Sequence, residues 1–375
     1  MLRKILTPAI LMASFSSTFS QDSTDKKGEL TLSGSVDGYY RYNFANAKNQ
    51  GATNNYTSFT NSQNSFELGM ASIKADYKAG KVSATIDLGF GSRAQEFSYA
   101  ETGAMAAIKQ AYISYSPSDK VKFTVGKWGT HVGYEVLDPQ VNRNYSMSYM
   151  FSYGPFSHTG VKADFGLGDH FGLMVGIANP NDYISAGFSK KFILGQFSAS
   201  FDKFSAFLNY VGGKDFDNAA NNQLALTATA KLSDKFSLGY DGTVKFYKPK
   251  GGSSSSWWGS ALYLNVDPTE KFGLTLRTEY FDDKKGIITY MDEYDDVYPL
   301  LGSGIFQTTL SFNIKPVKNF MVIPEFRLDS AEDPIFTKNN GDAAKSTGSF
   351  VLAAIFSFVH ALCTPKTDSL LSIAF

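Results

Sequence analysis

One local pattern returns along the chain and limits what it can fold into. Its first full copy is Ser116-Pro117-Ser118-Asp119-Lys120-Val121. Gly166-Leu167-Gly168-Asp169-His170-Phe171, Ser200-Phe201-Asp202-Lys203-Phe204 and Leu232-Ser233-Asp234-Lys235-Phe236 follow. Asp267-Pro268-Thr269-Glu270-Lys271-Phe272 is the next, and Lys315-Pro316-Val317-Lys318-Asn319-Phe320 is a looser copy. Each joins Pro, Gly or Ser to charged residues, the composition of a tight turn, and each is followed by an apolar residue that opens an alternating run. The copies lie about 32 to 50 residues apart, which fits two strands of about 10 residues and one loop of variable length. Short turns on one side and long loops on the other describe a transmembrane barrel. A large soluble β-protein with repeated hairpins is the competing reading.

The runs between the turns alternate. In Leu30 to Tyr42, one face carries Leu32, Val36, Tyr40 and Tyr42, and the other carries Ser33, Ser35, Asp37 and Arg41. A soluble barrel points its apolar face inward, whereas a membrane barrel points it at lipid and lines its lumen with the polar face. Size decides between them. The alternation predicts 16 strands, and a barrel of about that number is too wide to fill with its own wall side chains. The expected fold is therefore all-β: a transmembrane, antiparallel, up-and-down barrel with short periplasmic turns and long extracellular loops. Pro324 falls on the lipid-facing side of one strand, where it conflicts with a regular ladder.

Residues 1–20 read as a secretory signal. Arg3 and Lys4 precede the short apolar stretch Ile5 to Met12, and small residues lead to cleavage before Gln21. A polar leader, 21–28, comes before the barrel, 29–358. Phe358 is the expected aromatic end of the last strand, and 359–375 is an additional tail. Elsewhere no apolar run reaches the length of about 20 residues that a spanning helix needs. The 32 Phe, 21 Tyr and 33 Gly suit aromatic girdles on a barrel, and Trp257 with Trp258 belongs at a membrane interface. A formal net charge of zero gives no basic surface for nucleic acid, and a single Cys excludes an intrachain disulfide.

The longest irregular segment, His131 to Thr159, is dense in Tyr, Asn and Ser and carries Glu135, Asp138, Arg143 and His158. Irregular segments of that length are commonly functional, and in a barrel one function is to fold inward and narrow the pore. Alternation adds a set of lumen-facing charges: Asp37, Arg41, Asp87, Lys122, Asp241, Lys245, Arg277, Glu279, Glu325, Arg327 and Asp329. Facing one another across water, acids and bases of this kind create a transverse field that favours dipolar solutes. With both signs present, the lining selects neither cations nor anions. A further loop, Asp282 to Gly302, holds the acidic cluster Asp292, Glu293, Asp295 and Asp296.

Catalysis finds little support. His131 and His158 are the candidate bases, but no nucleophile motif accompanies them. The four histidines are too dispersed for a metal site, and no phosphate loop or calcium-binding spacing occurs, so no cofactor is expected.

Several motifs together resemble the β-barrel porin family described as OmpL-like, from Gram-negative outer membranes. They are Gly126-Lys127-Trp128, Gly133-Tyr134-Glu135, Asn144-Tyr145-Ser146, Pro155-Phe156-Ser157-His158-Thr159-Gly160-Val161 and Leu208-Asn209-Tyr210-Val211-Gly212-Gly213, with the Asp-Lys turns. The resemblance covers nearly the whole mature chain and implies a pore-forming barrel without indicating a solute. The expected function is a porin for passive diffusion of small polar solutes or ions. Its partners are outer-membrane lipid, the outer-membrane assembly machinery and further copies of the chain, as in trimeric porins. The alternatives are an adhesin or structural barrel with a plugged pore, and a barrel lipase or protease.

Overall fold

The structure, a computed structural model, describes residues 28–47, 53–291 and 297–363. The expected signal, nearly all of the leader, the acidic cluster at 292–296 and residues 364–375 lie outside the described residues.

Sixteen antiparallel strands close into one barrel. The first half comprises β1 Glu29–Asn43, β2 Ser65–Ala79, β3 Val82–Phe90, β4 Ile108–Ser118, β5 Val121–Gly129, β6 Ser157–Leu167, β7 Phe171–Ala178 and β8 Phe192–Phe201. The second half comprises β9 Phe204–Lys214, β10 Ala220–Lys231, β11 Phe236–Lys248, β12 Ser255–Thr269, β13 Phe272–Asp282, β16 Gly304–Val317, β17 Phe320–Ala331 and β20 Ser346–Cys363. Two small hairpins, β14 Thr289–Met291 with β15 Val297–Pro299 and β18 Phe336–Thr337 with β19 Ala343–Ala344, decorate outer loops. Two short helices, α1 Ser92–Phe97 and α2 Tyr149–Tyr153, also belong to loops. The barrel shuts where β1 pairs with β20, from Glu29↔Cys363 to Asn43↔Ser349. Closure leaves no strand edge, which is what a sheet surrounded by hydrocarbon requires.

Every recurring turn of the sequence joins two neighbouring strands at one end of the barrel, and the long connections collect at the other. Gly80 turns the chain between β2 and β3 at φ 55°, a conformation glycine adopts without steric cost. Polarity is inverted relative to a soluble protein. On β17, Phe326 and Leu328 are 49% and 56% exposed on the outer wall, while Glu325, Arg327 and Asp329 between them are buried inside. The two tryptophans divide in the same way: Trp258 faces outward as expected at an interface, but Trp257 points into the lumen and is buried.

Two irregularities have local causes. Gly126, at φ 130° within β5, lies where a Cβ would meet the carbonyl oxygen of Ala111 on β4, so only glycine permits the approach. Opposite Pro324, the β16–β17 ladder has no pairing between Ser311↔Glu325 and Ile314↔Val322, because proline offers no N–H.

The closing strand differs from the sequence expectation. It does not end at Phe358 but continues to Cys363, pairing back to Glu29 of β1. A chain stopped at Phe358 would leave Glu29 to Ser33 without a partner on that side. Heat-dependent gel mobility should then show unfolding several degrees lower than for the full chain. An unchanged transition would mean that this end of the seam adds nothing to stability.

Candidate functional site: a loop tied across the lumen

The segment 130–156 between β5 and β6 runs through the interior of the barrel. Its central part, Asn144 to Met150, is buried throughout. Backbone without regular structure can exist at membrane depth only if protein groups satisfy its N–H and C=O groups. Here the wall supplies them. Glu325 on β17 accepts the amides of Tyr145 and Ser146 at 2.7 and 3.0 Å. Glu279 on β13 accepts those of Tyr149 and Met150, both at 2.9 Å. Carbonyls are met by arginines. Arg277 donates to Ser146 O at 2.8 Å and Met147 O at 3.2 Å, and Arg327 donates to Met147 O at 2.8 Å.

Arg277 is the most heavily used of these groups. Besides the two carbonyls it donates to Glu135 Oε1 at 2.5 Å, Gln307 Oε1 at 3.0 Å and Thr309 Oγ1 at 3.2 Å. Those contacts account for the five N–H donors of a guanidinium. Glu135 in turn accepts the amide of Ser148 at 2.8 Å, so the loop's own carboxylate helps to fold it.

Other candidates join the same network. Asp37 accepts the Tyr145 hydroxyl at 2.5 Å and the Met70 amide at 3.1 Å. Asp329 holds Arg327 at 2.8 Å and the Tyr149 hydroxyl at 3.0 Å. Asp241 accepts the amide of Tyr134 at 3.1 Å, and Arg143 makes a two-pronged pair with Asp267 at 3.0 and 2.7 Å. Asp138 and Asp87 share Lys109, at 2.6 and 3.1 Å. Arg41 lies higher, donating to Thr53 O and Ser62 O of the first outer loop.

This arrangement corrects one expectation. Asp37, Arg41, Asp87, Asp241, Arg277, Glu279, Glu325, Arg327 and Asp329 do not face one another across open water. They are buried beneath or beside inward-folded loops, and most serve as anchors for segment 130–156. Lys122 is the exception near the turn end, half-exposed and 3.8 Å from Asp164. Lys245 lines the outer mouth. His158 is fully buried, with Nε2 3.0 Å from Thr130 Oγ1, and its ring lies 5.2 Å from that of His131.

Alternation on wall strands could not reveal the groups contributed by loops. Arg93 in α1 is completely buried and packs over Phe59 and Tyr145, with its guanidinium 4.8 and 4.7 Å from the ring centres. Phe59, Phe97, Phe151 and Phe156 form a buried aromatic cluster drawn from three loops. Asp182, in the loop after β7, fixes that cluster by accepting the amides of Phe156 and Ser157 at 2.7 and 2.8 Å. Two hollows lie either side of the cluster. An outer one of about 960 Å³ opens among the long loops, and an inner one of about 620 Å³ lies below segment 130–156.

Replacing Arg277 with Met would leave the buried Glu135 without its cation and the Ser146 carbonyl without its donor, while Met147 O keeps Arg327. Breaking such a pair costs about 3–5 kcal/mol. Hydrogen exchange at the amides of Tyr145 to Met150 should accelerate strongly while β-strand amides stay protected. Unchanged exchange would show that the loop holds without this anchor.

Burial pushes the Asp182 carboxyl up to about 6, against its own hydrogen bonds. A carboxyl raised in the folded state favours folding most below its ordinary value of 3.8, and that contribution is lost as pH rises through about 6. Asp182→Asn keeps an acceptor but does not titrate. The difference in thermal midpoint between about pH 4.5 and about pH 7.5 should shrink in this variant. An identical pH dependence would exclude Asp182 as its source.

With this geometry in view, comparisons with known proteins place the chain. A profile of the family described as "Putative beta-barrel porin-2, OmpL-like" matches residues 29–358. No curated protein sequence matches. Among solved structures, the outer-membrane channel DcaP of Acinetobacter baumannii aligns at 15% identity and a TM-score of 0.59, covering 88% of this chain and 97% of that one. The outer-membrane expressed OmpT of Vibrio cholerae aligns at 12% identity and a TM-score of 0.59, covering 89% and 98%. An anion-selective porin from Comamonas acidovorans aligns at 12% identity and a TM-score of 0.58, covering 88% and 100%. At these identities the likeness is one of fold. The profile match across nearly all of the barrel makes the chain a member of the OmpL-like β-barrel porin family, an outer-membrane channel protein.

Proposed function

We propose that this porin passes small polar solutes by passive diffusion, with segment 130–156 as its constriction. The observation that carries the reading is the tied loop with a hollow on each side. The wall charges hold the loop at mid-lumen, and the solute-facing groups are those that remain partly open, Asp138, Arg143 and Asp267. No cofactor or energy source enters the scheme.

We read the protein as carrying out no catalytic step. In support, His131 Nε2 lies 3.1 Å from the Tyr210 carbonyl, and His158 Nε2 is engaged by Thr130. Thr130 is a hydroxyl beside an imidazole, but among the described residues His158 Nδ1 has no partner that would orient it as a base. The same reading takes residues 1–20 as an export signal and assembly as depending on the outer-membrane machinery. Association into trimers is part of it, prompted by the trimer form described for Vibrio cholerae OmpT. The mass of the detergent-solubilised particle tests that part.

Planar-bilayer recording tests the channel. The wild-type protein should give small, defined steps. Asp138→Asn and Arg143→Gln should each alter step size by about 1.5- to 2-fold. Arg277→Met should give larger and noisier currents as the loop loosens. A folded barrel that stays silent in all of these forms would overturn the porin reading in favour of a plugged barrel.

A further inference from the structure

Phe156 is the one residue shared by the linings of the outer and inner hollows. Its ring lies 5.7 Å from Phe97, 5.8 Å from Phe59 and 5.4 Å from Phe151, and all four are buried. A solute moving from one hollow to the other along this line must pass a wall of packed rings. Hydrated ions lose their water at such a constriction without gaining partners.

The approaches on both sides are aromatic as well. Around the outer mouth the tyrosine hydroxyls are tied back: Tyr99 to Asp182 at 3.0 Å, Tyr247 to Asp217 at 3.3 Å and Tyr153 to the Tyr56 carbonyl at 2.6 Å. That fixes the orientation of the rings, and Tyr153 is further backed by Tyr149 and Phe281. Tyr183 meets Phe216 edge-on at 4.8 Å in the same lining. Below the seal, Tyr134 stacks on Tyr263 at 4.2 Å, and both line the inner hollow.

The charge distribution narrows the class of solute. Four carboxylates line the outer hollow, Glu96, Asp182, Asp215 and Asp217, against the single ammonium of Lys245, so anions are repelled at entry. Organic cations would be drawn to the mouth, but the seal is already served from within. The Arg93 guanidinium lies over Phe59 and the Lys127 ammonium lies 5.5 Å from the Phe97 ring centre. A second cation at these rings meets protein charge of its own sign. A neutral ring does not. Its C–H face carries slight positive charge and suits the negative face of an aromatic ring. Its hydroxyl rim suits amides such as Asn181, whose buried Oδ1 has no partner among the described residues.

We propose that the channel is selective for neutral cyclic carbohydrates, with Phe156 as the residue that sets this selectivity. The proposal deepens the porin reading and rests on it. Swelling of proteoliposomes in glucose, maltose and sorbitol tests it, since sorbitol nearly matches glucose in mass but has no ring face. Glucose should enter the wild-type vesicles at least about threefold faster than sorbitol. In Phe156→Ala the ratio should fall to about one while potassium conductance rises at least about twofold. Phe156→Tyr should restore selectivity, and Phe97→Ala, on a different loop, should act like Phe156→Ala. Heat-dependent gel mobility confirms that each variant is folded. Equal entry of glucose and sorbitol into wild-type vesicles overturns the proposal, as does a Phe156→Ala protein that keeps the wild-type ratio. Vesicles that admit nothing unless Phe156 is replaced, and then admit both solutes alike, also overturn it but leave the porin reading standing. Vesicles that admit nothing with any variant overturn both.

Discussion

Recognition of loop backbone by wall charges is the interaction on which the rest of this structure depends. A 16-strand barrel satisfies its own backbone by closure, and apolar wall residues such as Trp257, Phe281 and Ile323 pack against the side chains of the inserted segment but cannot satisfy its backbone. The chain solves this with side chains spaced two apart on neighbouring or nearby strands. Arg277 and Glu279 stand on β13, and Glu325 and Arg327 stand on β17. Along Tyr145 to Met150 they take amides, carbonyls and amides again. Each carboxylate accepts two N–H groups, and charge-assisted bonds of this kind are stronger than neutral ones. The loop is thus recognised through its backbone, and the hydroxyls of Tyr145 and Tyr149 add side-chain ties to Asp37 and Asp329.

Burying so many charges is costly unless each is paired and hydrogen-bonded. Here the compensation is local. Arg277 has Glu135, Arg327 has Asp329, and Lys109 stands between Asp87 and Asp138. Apolar residues of equal size could fill the same volume, but they would leave the amides and carbonyls of the loop without partners. The charged lining therefore specifies where the loop lies, and that position divides the lumen into two hollows.

The architecture was legible in the sequence because it rests on local rules. The recurring Asp-Lys turns mark strand ends, and period-two alternation marks wall faces, so the strand number follows directly. The inward direction of Arg277, Glu279, Glu325, Arg327 and Asp329 was legible for the same reason. Their solvent environment was not. Alternation tells which face a charge occupies but not whether a segment well over a hundred residues away in sequence covers it, as Tyr145 and Ser146 cover Glu325. Arg93, Phe97 and Phe156 carried no periodic signal, since each lies in a loop whose path is set by tertiary contacts. The end of β20 was obscured because Val359 to Cys363 continues the ladder without continuing the aromatic pattern.

The two parts of the proposed constriction are built differently, and this bears on how the channel can move. The strap 144–150 is fixed to barrel strands by buried charge-assisted bonds, so shifting it means breaking several at once. The seal at Phe156 is held by other loops: Phe59 from the first, Phe97 from the second and Asp182 from the fourth. Ring contacts are weak individually and yield to another ring at little cost, whereas a buried ion pair yields only to water or to another charge. Under the proposed passage, a solute would therefore meet a rigid floor and a compliant door. In the proposed scheme, displacement at Phe156 would open the line between the hollows while Glu279, Glu325, Arg277 and Arg327 keep the strap in place, so the same loop would narrow the pore permanently and seal it reversibly.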